Sequence, residues 1–272
     1  EYIEKINNKT LFSNEPVVNE YLMSSKNFRV SKNIKEGLEF SEILFLFVAT
    51  PSLPNERYDH SQIKSVVKQI LDTKIKITRK KLVVGCTTMP GFCDTLNNML
   101  AKEGYEVLYN PEFIAQGSIM KNLVNPDIIL IGSNKINSAD QIESIYSNIL
   151  HNSTSIHKMT LKEAEITKIA LNCFLTTKIA YANMVGDIAR SANCDPNVIL
   201  AAIGSDSRIG NKNLKYGFGY GGPCFPRDNR AFAKFANDMK VNAKISKASD
   251  IANKQHLEFQ IEEFIEKNDI RD

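Results

Sequence analysis

Residues 43–50 read ILFLFVAT and run directly into Pro51. An unbroken apolar run that stops at a proline is the pattern of a strand covered on both faces, as parallel sheets provide. Outward from it, the chain alternates such runs with amphipathic stretches. Residues 61–71 set Ile63, Val66, Val67, Ile70 and Leu71 at helical spacing; 81–87 (KLVVGCT) read as a second buried strand and 94–103 as a second helix. Residues 106–109 and 127–132 (DIILIG) add strands, and 139–150 a helix. On the near side, a helix around 17–23 and a short strand around 28–30 fit the same scheme. Strands alternating with helices build βαβ units, so residues 1–158 are expected to form an α/β domain with a doubly wound parallel sheet.

The character changes after His157. Thr160-Leu-Lys-Glu163 is a capping-box signature, in which Thr160 and Glu163 satisfy each other's amides at a helix start. No Gly or Pro follows until Gly186, and the helical pattern persists to about Asn193. Its apolar stripe comprises Ile166, Ile169, Ala170, Cys173, Phe174, Ala180, Tyr181, Met184 and Ile188. At 1.5 Å per residue this helix is about 50 Å long. One small core does not cover that length, so part of the stripe is expected to meet a second subunit in a homodimer. Residues 196–203, 230–238 and 248–266 read as shorter helices, which makes 159–272 an all-helical domain.

The 272 residues carry 34 Lys+Arg against 31 Asp+Glu, a formal charge of +3, and 43% are hydrophobic. That near balance, with no basic stripe, excludes a nucleic-acid protein driven by bulk basicity. No apolar run approaches the roughly 18 residues of a membrane span. Five cysteines (Cys86, Cys93, Cys173, Cys194, Cys224), scattered and never spaced as CxxC, exclude a disulfide scaffold and a zinc ribbon and point to the reducing cytoplasm. No metal is expected. The chain opens on Glu1 in what reads as mid-element, which suggests a fragment.

The most unusual stretch is DSRIGNKNLKYGFGYGGPCFPRD, residues 206–228. Within it, residues 217–222 match GxGxxG letter for letter. A dinucleotide turn needs an apolar strand before it and a helix opening at the third glycine, and here a polar stretch precedes and Pro223-Cys224 follows. The other reading is a backbone-rich substrate cradle that presents Cys224 at the start of a helix, with Pro226 at an early helical position. A helix N-terminus and Arg227 would favour the thiolate nucleophile, and Asp228, four residues on, would orient it or accept a proton. The other four cysteines sit in strand or helix patterns and are expected in the core. On the long helix, Glu165, Lys168, Asn172 and Thr176 share one polar stripe, whose spacing alone fits a solvated face with a single Glu–Lys pair. Glu112, Thr87-Thr88 and Thr50-Pro51 all fall just past strand ends, where α/β sheets place ligands.

With these residues in view, the chain resembles the UDP-glucose 6-dehydrogenase and GDP-mannose dehydrogenase family. GFGYGGPCFPRD resembles the family's catalytic-cysteine motif; DSRIG, NPEFIAQGS, TTMP, VATPS and KIALNCFLTTKIAYAN match in order and approximate spacing. The resemblance implies an incomplete Rossmann-like domain and NAD-dependent, four-electron oxidation of a sugar-nucleotide C6 alcohol to a carboxylate, using two NAD. By carry-over, Cys224 traps the aldehyde as a thiohemiacetal that becomes a thioester for water to hydrolyse. Lys168 and Asn172 would hold the C6 oxygen, Asp228 would assist proton transfer, Glu112 would assist hydrolysis, and Thr88 would position water near nicotinamide. Lys215, Tyr216, Gly217, Phe218, Gly219, Tyr220 and Gly221 would line the sugar nucleotide. Glu112, Phe113, Ile114 and Gln116 would join them, with Arg208 reaching a pyrophosphate or sugar, in a neighbouring subunit. Thr50, Pro51, Thr87, Thr88, Gln116, Cys224 and Arg227 would border NAD.

The chain departs from the family pattern in three respects. Gln116 stands where many members carry a second glutamate. Arg227 replaces a common lysine, keeping the charge but changing its donor geometry. The family's opening strand and Gly-rich turn need roughly 30 residues upstream, and its third domain would follow the last helix. The chain therefore reads as an internal piece that alone binds NAD poorly and turns over little. Three other readings stand beside UDP-glucose oxidation. They are a GDP-mannose 6-dehydrogenase, a relative of the β-hydroxyacid dehydrogenases that needs no cysteine, and a non-catalytic dimerisation module built on the long helix.

Overall fold

The computed structural model describes residues 1–75 and 79–269; positions 270–272 of the expected helical domain lie outside the described residues. The chain divides into two compact units, Glu1–Pro51 with Asp59–Ile166, and Ser52–Tyr58 with Thr167–Asp272.

The first unit opens with helices α1 (Tyr2–Asn7), α2 (Val18–Ser24) and α3 (Ile34–Phe40). Strands β1 (Ile43–Leu46), β2 (Lys80–Val84) and β3 (Tyr105–Tyr109) follow, separated by α4 (Ser61–Asp72) and α5 (Phe92–Leu100). Then come α6 (Ile119–Val124), β4 (Ile128–Gly132), α7 (Ile136–Tyr146) and β5 (Ser155–Met159). The strands lie in sequence order in one sheet. The neighbours are parallel except β3 and β4, which meet antiparallel through Tyr109 and Gly132. The apolar run in β2 explains the layering. Side chains alternate across a strand, so Leu82 and Val84 feed the core with Ile63, Val67, Leu96 and Leu100, while Val83 joins Leu108, Ile131 and Ile142 on the other side.

Three sequence expectations change here. The run at 43–50 stays in the sheet only to Leu46, and as an edge strand it leaves Phe45 and Phe47 exposed rather than covered on both faces. Residues 28–30 are not a strand: the backbone of Val30 is satisfied by the Asn7 side chain, which donates to its carbonyl at 3.1 Å and accepts from its amide at 3.0 Å. β5 carries no apolar run for the sequence to advertise, because its residues are only half-buried at the opposite edge.

The long helix, α8 (Leu161–Ser191), begins as the capping box requires. The Thr160 amide donates to Glu163 at 2.8 Å and the Glu163 amide donates to the Thr160 hydroxyl at 3.4 Å. Its first turn belongs to the first unit and the rest to the second. The second unit adds α9 (Pro196–Gly204), capped by Asp195, then α10 (Phe225–Asp238) and α11 (Lys244–Lys267). Its interior is built from small and polar groups: Ala182 packs with Leu200 and Leu214, and the Thr176 hydroxyl donates to Asn229 Oδ1 at 3.0 Å.

Candidate active site

Cys224 is exposed and stands at the N-cap of α10, with Pro226 in the first turn. Gly222 makes the approach possible: its φ of +75° is a left-handed turn that a side chain would strain. The first-turn amides of a 14-residue helix therefore point toward the end that carries the thiol. Among the described residues no strand leads into 217–222, the last one being β5 at Ser155–Met159, so the GxGxxG letters there are not a dinucleotide turn.

One turn into α10, Asp228 is fully buried. Its carboxylate accepts the Tyr58 hydroxyl at 2.7 Å, Asn172 Nδ2 at 2.7 Å and Arg227 Nε at 3.2 Å. Arg227 also lies over the Tyr58 ring, 4.9 Å from its centroid. Much of its charge is thus spent on Asp228. The structure brings together Asn172 of α8 and Asp228 of α10, which the sequence separates by 56 positions.

The α8 stripe is not a solvated face. Glu165, Lys168, Asn172 and Thr176 are only 0 to 8% exposed. Within the first unit, Glu165 accepts the Thr88 hydroxyl at 2.7 Å and the amides of Gly91 and Cys93 at 2.6 and 2.9 Å. Burial raises the pKa of its carboxyl above the ordinary glutamate value, against the pull of those donors. Truncation to alanine would leave three donors without an acceptor. Glu165→Ala is expected to cost about 3 kcal/mol or more, read as a lower urea midpoint for the chain.

Of the residues past the strand ends, Thr50 is buried and donates to the Thr87 carbonyl at 2.8 Å, and Thr88 is fully buried on Glu165. The Thr50 hydroxyl therefore ties two strand-end loops together and the Thr88 hydroxyl ties the second of them to α8, while Pro51 is exposed and Thr87 half-buried. Glu112 and Phe113 are half-buried, and Ile114 and Gln116 are exposed, in the segment after β3. That segment is held by Glu15, which accepts the Gly117 amide at 2.7 Å, and by Asn110, which donates to the Leu130 carbonyl at 2.8 Å. These segments follow the carboxyl ends of β1, β2 and β3, the end of an α/β sheet where ligands bind. Among the described residues no Gly-x-Gly-x-x-Gly turn joins a strand to a helix; the turn from β2 to α5 carries only Gly85 and, at the N-cap of α5, Gly91.

In the second unit, Lys215 and Arg208 are exposed, the latter forked onto Asp206 at 2.7 and 3.0 Å. Phe218 is 92% exposed, with Gly219 and Gly221 open beside it. Tyr216 and Tyr220 turn inward, donating to Asp187 at 2.9 Å and to Asp250 at 2.5 Å. Tyr216 packs on Gly186, where an added Cβ would lie 1.9 Å from its ring. Gly186→Ala is therefore expected to eject that ring, cost about 1–3 kcal/mol and free residues 215–217, measured by denaturation and by proteolysis within the loop.

The thiols separate cleanly. Burial pushes Cys86 and Cys93 upward, and Cys173 to about 12. Cys194, expected in the core, is exposed in the turn after α8, where Asn193 takes a positive φ of 57° and ends the helical pattern. Sequence reasoning also missed Tyr58, Asn183, Asp187, Asn229, Asn253 and His256. Asn183 and Asp187 continue the 172–176 stripe of α8 at helical spacing, which was a readable signal. The remaining four reach the site only through tertiary contacts.

A mostly parallel α/β unit, followed along one long helix by a helical unit with an exposed thiol at a helix start, defines a Rossmann-like fold with a helical second unit. The family model "UDP-glucose/GDP-mannose dehydrogenase family, NAD binding domain" matches residues 1–150, and "UDP-glucose/GDP-mannose dehydrogenase family, central domain" matches residues 162–255. The chain belongs to the UDP-glucose/GDP-mannose dehydrogenase family. It is 29% identical over 266 residues to a UDP-glucose 6-dehydrogenase of Rickettsia bellii, covering 96% of this chain and 61% of that protein. To a UDP-glucose 6-dehydrogenase of Bacillus subtilis it is 30% identical over 228 residues, 82% of this chain and 50% of that one. A UDP-glucose dehydrogenase structure from Pyrobaculum islandicum superposes with a TM-score of 0.84 at 28% identity, covering 93% of this chain and 60% of that chain. The chain thus spans about half to three fifths of the length of these relatives.

Proposed function

We propose that this chain carries the NAD-bordering and catalytic-cysteine parts of an NAD-dependent enzyme that oxidises the C6 alcohol of UDP-glucose to UDP-glucuronate. The observation that carries the reading is Cys224, exposed at the N-terminus of α10, with the buried carboxylate of Asp228 one turn on and bonded to Asn172. UDP-glucose is favoured over GDP-mannose by the names of the curated relatives. Residues 1–158 act as the NAD-binding domain and 159–272 as the central domain.

NAD, when bound, supplies the hydride acceptor for both oxidations. In the first unit Thr50, Pro51, Thr87, Thr88 and Gln116 would hold its nicotinamide end; in the second, Cys224 and Arg227 would border it. Lys168 and Asn172 hold the C6 oxygen and stabilise negative charge on it. The Cys224 sulfur bonds to C6 of the aldehyde, and the aldehyde oxygen takes up a proton. Loss of the C6 hydrogen as hydride, together with the hydroxyl proton, then leaves a thioester. Water, assisted by Glu112, adds to that carbon, the C–S bond breaks and the thiol is restored. Asp228 assists the proton transfers and, through Asn172, fixes the donor that faces the C6 oxygen. Residues 215–221 and Arg208, with Glu112, Phe113, Ile114 and Gln116, receive the nucleotide sugar.

Phe174, Tyr181, Met184 and Ile188 lie exposed along α8. They are the face through which the chain pairs with a second copy. Among the described residues no helix is long and apolar enough to cross a membrane. Together with the free cysteines this supports work in the cytoplasm. The test is stoichiometry: the protein carrying this chain should release two NADH per uronate from UDP-glucose. One NADH per turnover, or oxidation of GDP-mannose in preference, overturns the reading.

A further inference from the structure

No step above uses His256. It lies on α11 and is buried, with Nδ1 2.9 Å from both oxygens of Asp187 and Nε2 2.7 Å from the Gly217 carbonyl. A carboxylate and a carbonyl both accept, whereas a neutral imidazole has a single N–H to give. Both contacts are hydrogen bonds only when the Asp187–His256 pair holds two protons, as imidazolium facing carboxylate. The Tyr216 hydroxyl donates to Asp187 Oδ1 at 2.9 Å, and burial and Asp187 itself keep it protonated, so that oxygen is committed as an acceptor; of the two groups sharing the second proton, imidazole is by nature the stronger base. Gly217 is gripped from other sides as well. Its carbonyl accepts Gln260 Nε2 at 3.1 Å, and its amide donates to Asn183 Oδ1 at 3.1 Å. The surrounding charged groups are Arg190 of α8 and, on α11, Glu263, which bonds Arg190 at 2.6 Å and Lys267 at 3.0 Å. The Tyr216 ring stands edge-on to His256 at 5.5 Å.

We propose that His256, doubly protonated against Asp187, is a positioning residue that clamps the Gly217 carbonyl and holds residues 215–220 in the shape that receives the nucleotide sugar. The ligand in this statement rests on the function proposed above; the clamp does not. When the second proton leaves at higher pH, either the carboxylate or the carbonyl loses its donor, and the loop loosens.

The test combines three readouts on the protein carrying this chain across pH 5.5–9 (roughly the window of histidine titration). They are ring-nitrogen NMR of His256, amide exchange of residues 217–220 corrected for intrinsic rates, and the dissociation constant for UDP-glucose. Both ring nitrogens should carry protons at the acid end. As the second proton leaves, loop exchange and the UDP-glucose Kd should each rise about tenfold, the scale of a hydrogen bond to a charged group. His256→Gln should show the loosened loop at every pH. Asp187→Asn is the discriminating variant. Its amide donates to an unprotonated Nδ1 while Nε2–H stays on Gly217, so the loop should remain held and the pH dependence should vanish. A neutral His256 ring beside a fully protected loop, or an Asp187→Asn variant with the parent's pH profile, overturns the proposal. If ring and loop titrate together but UDP-glucose binds at no pH, the clamp is supported and the nucleotide-sugar reading fails.

Discussion

Cys224→Ser is expected to stop the four-electron oxidation, with uronate formation falling on the order of 1,000-fold or more. Serine lacks the thiolate nucleophile at neutral pH, and an oxygen ester hydrolyses less readily than a thioester. The fold should survive, because the side chain is exposed and makes no cap hydrogen bond. Steady-state assay with UDP-glucose and NAD, alongside circular dichroism, checks both halves. A serine variant that forms uronate at the parent's rate would remove the covalent mechanism and return the chain to the β-hydroxyacid dehydrogenase reading.

The second large effect is on Asp228. Its buried carboxylate is the acceptor for Tyr58, Asn172 and Arg227, which come from three separate segments. Removing it leaves a guanidinium and two polar groups facing a void. Asp228→Ala is expected to cost about 3–5 kcal/mol of stability, the scale for breaking a buried charged pair, and to lose activity as well. Tyr58→Phe removes one donor without uncovering the charge and should cost about 1 kcal/mol. Urea denaturation of the three proteins reads the difference. An Asp228→Ala variant as stable as Tyr58→Phe would show that the carboxylate does not organise this corner of the unit.

Much of this was legible in the sequence where the signal is local. The capping box at Thr160 and Glu163 is a four-residue device, and the structure makes both of its bonds. The run LVV in β2 announced a strand fed from both sides because each residue alternates into a different core. What failed was long-range. Polar residues at helical spacing carry the same letters whether water or another helix faces them, so the α8 stripe at 165–176 read as solvated. Its burial depends on Asp228, Asn229 and the turn at 88–93, which lie tens of residues away. Val30 shows the reverse error: the strand-like triplet Phe28-Arg29-Val30 stays out of the sheet, and the Asn7 side chain satisfies the Val30 backbone instead. The candidate nucleophile could be named from its Gly-Gly-Pro and Arg-Asp flanks, whereas the clamp on Gly217 could not, since His256 lies 39 positions away.

The claim on which the account turns is that the sulfur at the head of α10 is held ready as a nucleophile, and the protein supplies its own control. Cys194 is the other exposed thiol, and it sits in a turn rather than at a helix start. Iodoacetamide labelling followed by peptide mass spectrometry, run from about pH 6 to 9 around the ordinary thiol range, compares the two directly. Cys224 is expected to alkylate faster than Cys194, and to be protected by UDP-glucose. Equal labelling of the two thiols at every pH, with no protection, would contradict it.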